Sequence, residues 1–151
     1  MLKNTFFTFL FILFINTASA KQIKVTSDRL EIIRTENISI FSGKVYASED
    51  NLEIWSEKLI VTSSDDEKKI KEINAHGSVK ILREELSING DKAKYDPIKN
   101  VLVVFGEVEV VQNENIILCN KIVVDLENSS SIMSSDSTTR VEATIINENK
   151  K

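Results

Sequence analysis

The 151-residue sequence has one cysteine, one histidine, one proline, one tryptophan and four glycines. A single cysteine excludes an internal disulfide framework, and with a single histidine it excludes a His/Cys metal cluster. The same scarcity leaves little for a Ser-His-Asp or Cys-His catalytic arrangement. So few prolines and glycines exclude a collagen-like chain or a flexible linker. A basic excess is also missing. Lys and Arg number 19 against 23 Asp and Glu, a net charge of −4, which argues against a nucleic-acid partner needing a basic face. What is present is 42% hydrophobic and 28% charged residues, a mixture able to bury a core. The length fits one domain, two at most.

Residues 1–20 read as an export signal outside the fold. Lys3 gives a positive start, Phe6 to Ile15 is almost wholly apolar, and Ala18-Ser19-Ala20 is small at both positions a signal peptidase reads. The apolar run falls short of the roughly 20 residues that span a bilayer. A retained short membrane anchor is the alternative. No cysteine follows Ala20, so lipidation of a new N-terminus is excluded. Cleavage is expected after Ala20. The remaining chain starts at Lys21 with a net charge of −5, because the signal holds one Lys and no acid. This chain is expected outside the cytoplasm, with Cys119 unpaired and either buried or harmless instead of a reactive thiol.

Alternation with a period of two runs through most of the remaining chain. Ile23-x-Val25, Leu52-x-Ile54, Val79-x-Ile81, Leu86-x-Ile88 and Val108-x-Val110 are examples. β-Branched residues dominate, and no segment sustains a helical stripe for three turns. Turn residues separate the runs at 48–51, 63–66, 96–100 and 112–115. About ten to twelve short strands in an all-β fold are expected.

The chain also repeats itself. Gly43-Lys44-Val45, Gly77-Ser78-Val79 and Gly106-Glu107-Val108 share a Gly-x-Val unit, at spacings of 34 and then 29 residues. Thirteen residues after each glycine stands a small residue, Ser56, Gly90 or Cys119, followed by Glu57-Lys58, Asp91-Lys92 or Asn120-Lys121. A fourth copy of this second half opens as Ser27-Asp28-Arg29. Apolar residues lie two before the small position (Val25, Ile54, Ile88, Ile117) and three and five after it (Leu30/Ile32, Leu59/Val61, Ala93/Tyr95, Ile122/Val124). In a regular pleat the step from minus two to plus three changes face. Each second strand is therefore expected to bulge at its small residue and turn a corner from one sheet into another. Cys119 then simply fills a small-residue slot.

The expected inward set is Val45, Ile54, Leu59, Val79, Ile81, Ile88, Tyr95, Val108, Ile117 and Ile122. The plain reading is that these residues pack on one another. A thin, aliphatic sandwich also offers an apolar groove for acyl chains. The outward set is charged: Lys24, Lys44, Lys58, Lys80, Lys92, Lys94, Glu107, Glu109 and Lys121. Gln22 to Val25 and Val141, Ala143 and Ile145 read as edge strands, the natural templates for strand addition. Residues 128–139 read as a polar loop or weak strand, and the tail from Asn147 as disordered.

The order of these pieces is familiar. Ile23-Lys24-Val25-Thr26-Ser27-Asp28-Arg29-Leu30, Phe41-Ser42-Gly43-Lys44-Val45, Gly90-Asp91-Lys92-Ala93-Lys94-Tyr95-Asp96 and Val103-Val104-Phe105-Gly106-Glu107-Val108 follow a signal segment. The chain resembles the LptA/OstA-like family of periplasmic lipopolysaccharide-transport proteins of Gram-negative bacteria, over nearly all of residues 21–146. The resemblance implies an open, twisted β-jellyroll of two facing antiparallel sheets, with lipopolysaccharide acyl chains between them. It implies end-to-end stacking through edge strands. An LptC-like inner-membrane partner is expected at the N-terminal edge and an LptD-like outer-membrane partner at the C-terminal edge. It implies no enzyme activity and no cofactor.

The lipid-binding residues expected on this basis are Ile23, Val25, Ile32, Val45, Ile54, Val79, Ile81, Tyr95, Val108 and Ile122. Ile23, Val25, Ile81 and Tyr95 match ligand-lining positions of the family. The assembly edges expected are Ile23 and Val25 at one end and Val141, Ala143 and Ile145 at the other. A membrane-anchored LptC-like sibling and a ligand-free self-assembling scaffold are the alternatives.

Overall fold

A computed structural model of the chain describes residues 22–66 and 68–147. The export signal expected at 1–20 and the end of the tail lie outside the described residues. Among the described residues no helix is long and apolar enough to cross a membrane.

Ten antiparallel strands follow one another: β1 (Ile23–Thr26), β2 (Arg29–Ile33), β3 (Ile38–Glu49), β4 (Leu52–Ser63), β5 (Ile70–Arg83), β6 (Leu86–Asp96), β7 (Val101–Gln112), β8 (Asn115–Asp125), β9 (Ser130–Ser134) and β10 (Glu142–Thr144). One 3₁₀ turn (Arg34–Glu36) joins β2 to β3. Turn chemistry ends the strands where the sequence placed it. Asn113 and Glu114 both take positive φ, as a two-residue hairpin turn matched to strand twist requires. Before Pro97, the Asp96 carboxylate accepts the backbone N–H groups of Ile98 and Lys99, each at 3.0 Å.

The strands differ from expectation in length. Strands β3 to β8 run 11 to 14 residues each. They are long because they pass through the corner instead of stopping at it. Of the polar loop or weak strand expected at 128–139, the structure has the strand at 130–134, because these residues pair with Lys121–Asp125 of β8.

The pairing register breaks in the middle of every long strand. Between β3 and β4 it slips from Ser42↔Lys58 to Val45↔Ser56. Between β5 and β6 it slips from His76↔Lys92 to Val79↔Gly90, and between β7 and β8 from Phe105↔Lys121 to Val108↔Cys119. The breaks align across the molecule and divide it into two layers. The first layer holds β1, β10 and the halves of β3 to β8 that flank residues 50–51, 84–85 and 113–114. The second holds β2, β9 and the opposite halves. At the ends of the sheet the bulge becomes a complete break, so β1 and β2 are separate strands, as are β10 and β9.

One core fills the space between the layers. Val45, Ala47, Ile54, Val79, Ile81, Ile88, Val108 and Val110 come from the first layer. Leu59, Val61, Ile73, Ala75, Ala93, Tyr95, Leu102, Val104, Ile122 and Val124 come from the second. Ile54 and Leu59 are both buried although five residues apart, as are Ile88 and Ala93. The bulge restores the inward face after each corner. The fold is an open all-β jellyroll of two facing layers.

Candidate functional site: the interior between the layers

The interior has two long margins of different construction. The first is the corner. Gly43, Gly77 and Gly106 have φ of 80°, 81° and 99°, and Lys44 and Ser78 are also left-handed. A Cβ at these glycines would collide with Asp28, Glu57 and Asp91 respectively. The acid of each Ser/Gly-Asp/Glu unit thus packs on the glycine of the next strand. The backbone N–H of Asp28 also donates to the Gly43 carbonyl at 2.9 Å. The last unit has no glycine strand to receive it. There the Asn120 amide oxygen accepts the N–H of Asp136 at 3.1 Å and the hydroxyl of Thr139.

The small-residue slot has its own cause. The hydroxyls of Ser27 and Ser56 donate to the carbonyls two residues on, Arg29 at 2.9 Å and Lys58 at 3.1 Å. At Gly90 a Cβ would meet Val104, so no side chain fits. Cys119 occupies the same slot, buried, and burial pushes its thiol pKa up. A thiol held protonated is a poor nucleophile.

Each second strand bends at its small residue as expected, and the first strand of the hairpin bends with it. Both strands bend, because the bulge needs left-handed backbone on one side and a small residue on the other. The Gly-x pair of each Gly-x-Val unit was therefore a corner signal that the sequence reading treated only as a repeat marker.

The opposite margin is a seam, where the free tips of the two layers meet. Here the contacts are side-chain hydrogen bonds. Tyr95 Oη, from the second layer, donates to Glu49 Oε2 of the first layer at 2.8 Å and lies 3.1 Å from Asn100 Oδ1. Glu49 is only 8% exposed, an unusual place for a carboxylate without a partner. Burial and the Glu49 carboxylate both push the Tyr95 pKa well up, so the phenol stays protonated as a donor. Beside this pair Arg83 Nη2, at the end of β5 in the first layer, donates to the Leu126 carbonyl at 3.1 Å. Beyond Arg83 the seam gapes into a cleft of about 360 Å³ lined by Leu86, Gln112, Val124, Ser131 and Met133 among others.

The residues expected to line a ligand fall in three groups. Val45, Ile54, Val79, Ile81, Tyr95, Val108 and Ile122 are buried between the layers. Ile23 and Val25 are partly buried on β1 and pack against the core. Ile32 lies on β2, opposite Ser39, and is 60% exposed. Among the expected edge residues, Ala143 lies in β10 opposite Ile117, while Val141 and Ile145 flank that strand with exposed side chains. The charged set lies outside. Lys80 stands 5.8 Å over the Trp55 ring, which itself packs on Tyr46.

Glu49, Arg83 and Asn100 were missed by sequence reasoning. Glu49 did stand at an inward position of the alternation that starts at Val45, and an acid in an inward slot was the available signal.

Comparison with known proteins now adds the family. No curated protein matches the chain. The family described as LptA/(LptD N-terminal domain) LPS transport protein matches residues 24–130. Among solved structures the chain is similar to LptH of Pseudomonas aeruginosa, described as the LptA-homologous periplasmic component of the conserved lipopolysaccharide transport device. The TM-score is 0.76 at 15% identity, covering 84% of this chain and 96% of that one. That likeness is one of fold, the same two-layered open sheet. The family match spans both margins of the interior as far as the start of β9, and by it the chain belongs to the LptA/LptD N-terminal domain family of lipopolysaccharide transport proteins.

Proposed function

We propose that this chain is a periplasmic bridge that conducts lipopolysaccharide from the inner to the outer membrane, without enzyme activity of its own. The acyl chains of lipid A run between the layers, against Ile23, Val25, Ile32, Val45, Ile54, Val79, Ile81, Tyr95, Val108 and Ile122. The observation that carries this reading is the interior itself. It is aliphatic from β1 to β9, and the sheet ends in short strands paired along one edge only. Backbone groups on such edges take up an added strand. Ile23 and Val25 on β1 face an LptC-like partner. Val141, Ala143 and Ile145 around β10 face an LptD-like partner or the next copy head to tail.

Magnitudes limit how the cargo is held. Each buried CH₂ contributes about 0.8 kcal/mol, so one twelve-carbon chain contributes on the order of 9 kcal/mol. Several such chains together would exceed the practical affinity ceiling of about 18–21 kcal/mol. Here the interior is already filled, so a chain displaces side-chain contacts as it enters. That cost lowers net affinity and keeps handover between subunits feasible. No nucleotide-binding motif stands in the sequence, so directional energy comes from elsewhere.

The test is photocrosslinking to lipopolysaccharide with the probe at Ile81 in one sample and at Lys80 in another. Ile81 is buried and Lys80 is exposed. Crosslinks at Ile81 alone are expected. Silence at both positions in folded protein would favour a scaffold without ligand.

A further inference from the structure

A lipid whose acyl chains lie between two layers cannot hide a large polar headgroup there. The headgroup must project through a margin. The corner is closed to it, because β3 to β8 cross it as continuous backbone. The seam is the remaining margin, and midway along it stands a latch. Glu49 from the first layer is joined to Tyr95 of the second, Tyr95 lies within reach of Asn100, and Arg83 from the first reaches the carbonyl of Leu126. The backbone N–H of Leu126 donates to the Asn100 carbonyl at 2.9 Å, which couples the two clasps on the second layer. Between them lies a pocket of only about 70 Å³ lined by Glu49, Leu52, Arg83, Tyr95, Asn100 and Leu126.

We propose that the Glu49–Tyr95–Asn100 clasp, with the Arg83–Leu126 clasp beside it, is a gate through which every acyl chain carrying a headgroup passes. The proposal rests on the lipid-conducting reading and adds the step that admits and advances the cargo. The composition of the latch suits a gate. It is made of side chains from strand tips, so breaking it disturbs no backbone ladder. Its bonds are few, and each contributes modestly net because water replaces the lost partner when the seam opens. The open cleft beyond Arg83 gives a chain a place to wait beside the gate.

The experiment follows cis-parinaric acid, and separately fluorophore-labelled lipid A, by stopped-flow fluorescence on the full chain without its signal. A gate alters association and dissociation together, whereas a simple binding contact alters mainly dissociation. Tyr95→Phe keeps the ring and removes the donor. Both rates for lipid A are expected to rise about tenfold, because the donor that holds the seam is lost while the ring against the interior stays. Arg83→Gln is expected to shift both rates in the same direction. A Glu49→Cys/Asn100→Cys pair on a Cys119→Ser background, joined by a cleavable bis-maleimide, is expected to block loading of lipid A until the linker is cut. Parinaric acid, lacking a large headgroup, is expected to be slowed less. If Tyr95→Phe changes dissociation alone, or if the locked protein loads lipid A at the wild-type rate, the gate is overturned and the lipid reading survives. If unmodified protein takes up neither probe, both fall.

Discussion

The two margins of the interior do opposite jobs with different chemistry. The corner joins the layers through six continuous strands, left-handed glycines and acids packed on them. The seam joins them through two side-chain clasps. Parting the corner would require breaking the backbone ladders that run through it. Parting the seam exchanges a few hydrogen bonds for water. In the gate we propose, such a sandwich acts as a hinge, rigid along one side and opening along the other. On the proposed lipid-conducting reading, the aliphatic core and the carrier's interior are the same set of residues, and one weak margin is what allows it.

The contrast is testable from its strong side first. Gly77→Val puts a β-branched residue at φ 81° and a side chain into Glu57. A loss of about 2–3 kcal/mol is expected from the urea midpoint. A loss below about 1 kcal/mol would mean the corner is softer than its backbone suggests. Tyr95→Phe leaves Glu49 without its donor and is expected to cost about 1–2 kcal/mol. Hydrogen exchange should then quicken at residues 49–52 and 95–100 while staying unchanged at 42–45 and 76–79. Uniform quickening would erase the distinction between the margins.

Alkaline pH sharpens the comparison further. The pKa of Tyr95 is raised in the fold, so the folded state holds this proton more tightly than the unfolded state does. Its stabilisation is complete below about pH 10 and declines as pH rises towards the folded value. Tyr46, whose pKa is raised mainly by its hydrogen bond to Glu53, titrates in the same direction. Removing Tyr46 by a Phe substitution in both samples isolates the seam. Stability measured above pH 10 should then fall more steeply with Tyr95 present than in Tyr95→Phe. The smallest effect belongs to Cys119→Ser. The slot already takes serine at Ser27 and Ser56, each bonded to the carbonyl two residues on. A change within about 1 kcal/mol is expected, and a larger one would show that the third corner differs from the others.

The strands, their turns, the inward aliphatics and the bulge at each small residue were legible because all are local. A period of two identifies a strand, and a step of five between inward residues identifies a bulge. The strand lengths were not legible. A glycine at a bulge and a glycine at a turn look alike until the ladder is seen to continue beyond it. Ile32 illustrates a different limit. Its place in the repeat is that of an inward residue, yet its exposure depends on whether the facing layer extends that far.

The sequence by itself determined the family, the all-β class, the repeat and the apolar character of the interior, because each depends on residues near one another in the chain. Only the tertiary structure decided the seam. Glu49 meets Tyr95 across 46 residues and Arg83 meets Leu126 across 43. Which tips meet depends on the twist and crossing of the two layers, a property of the assembled sheet that no local pattern of side chains carries.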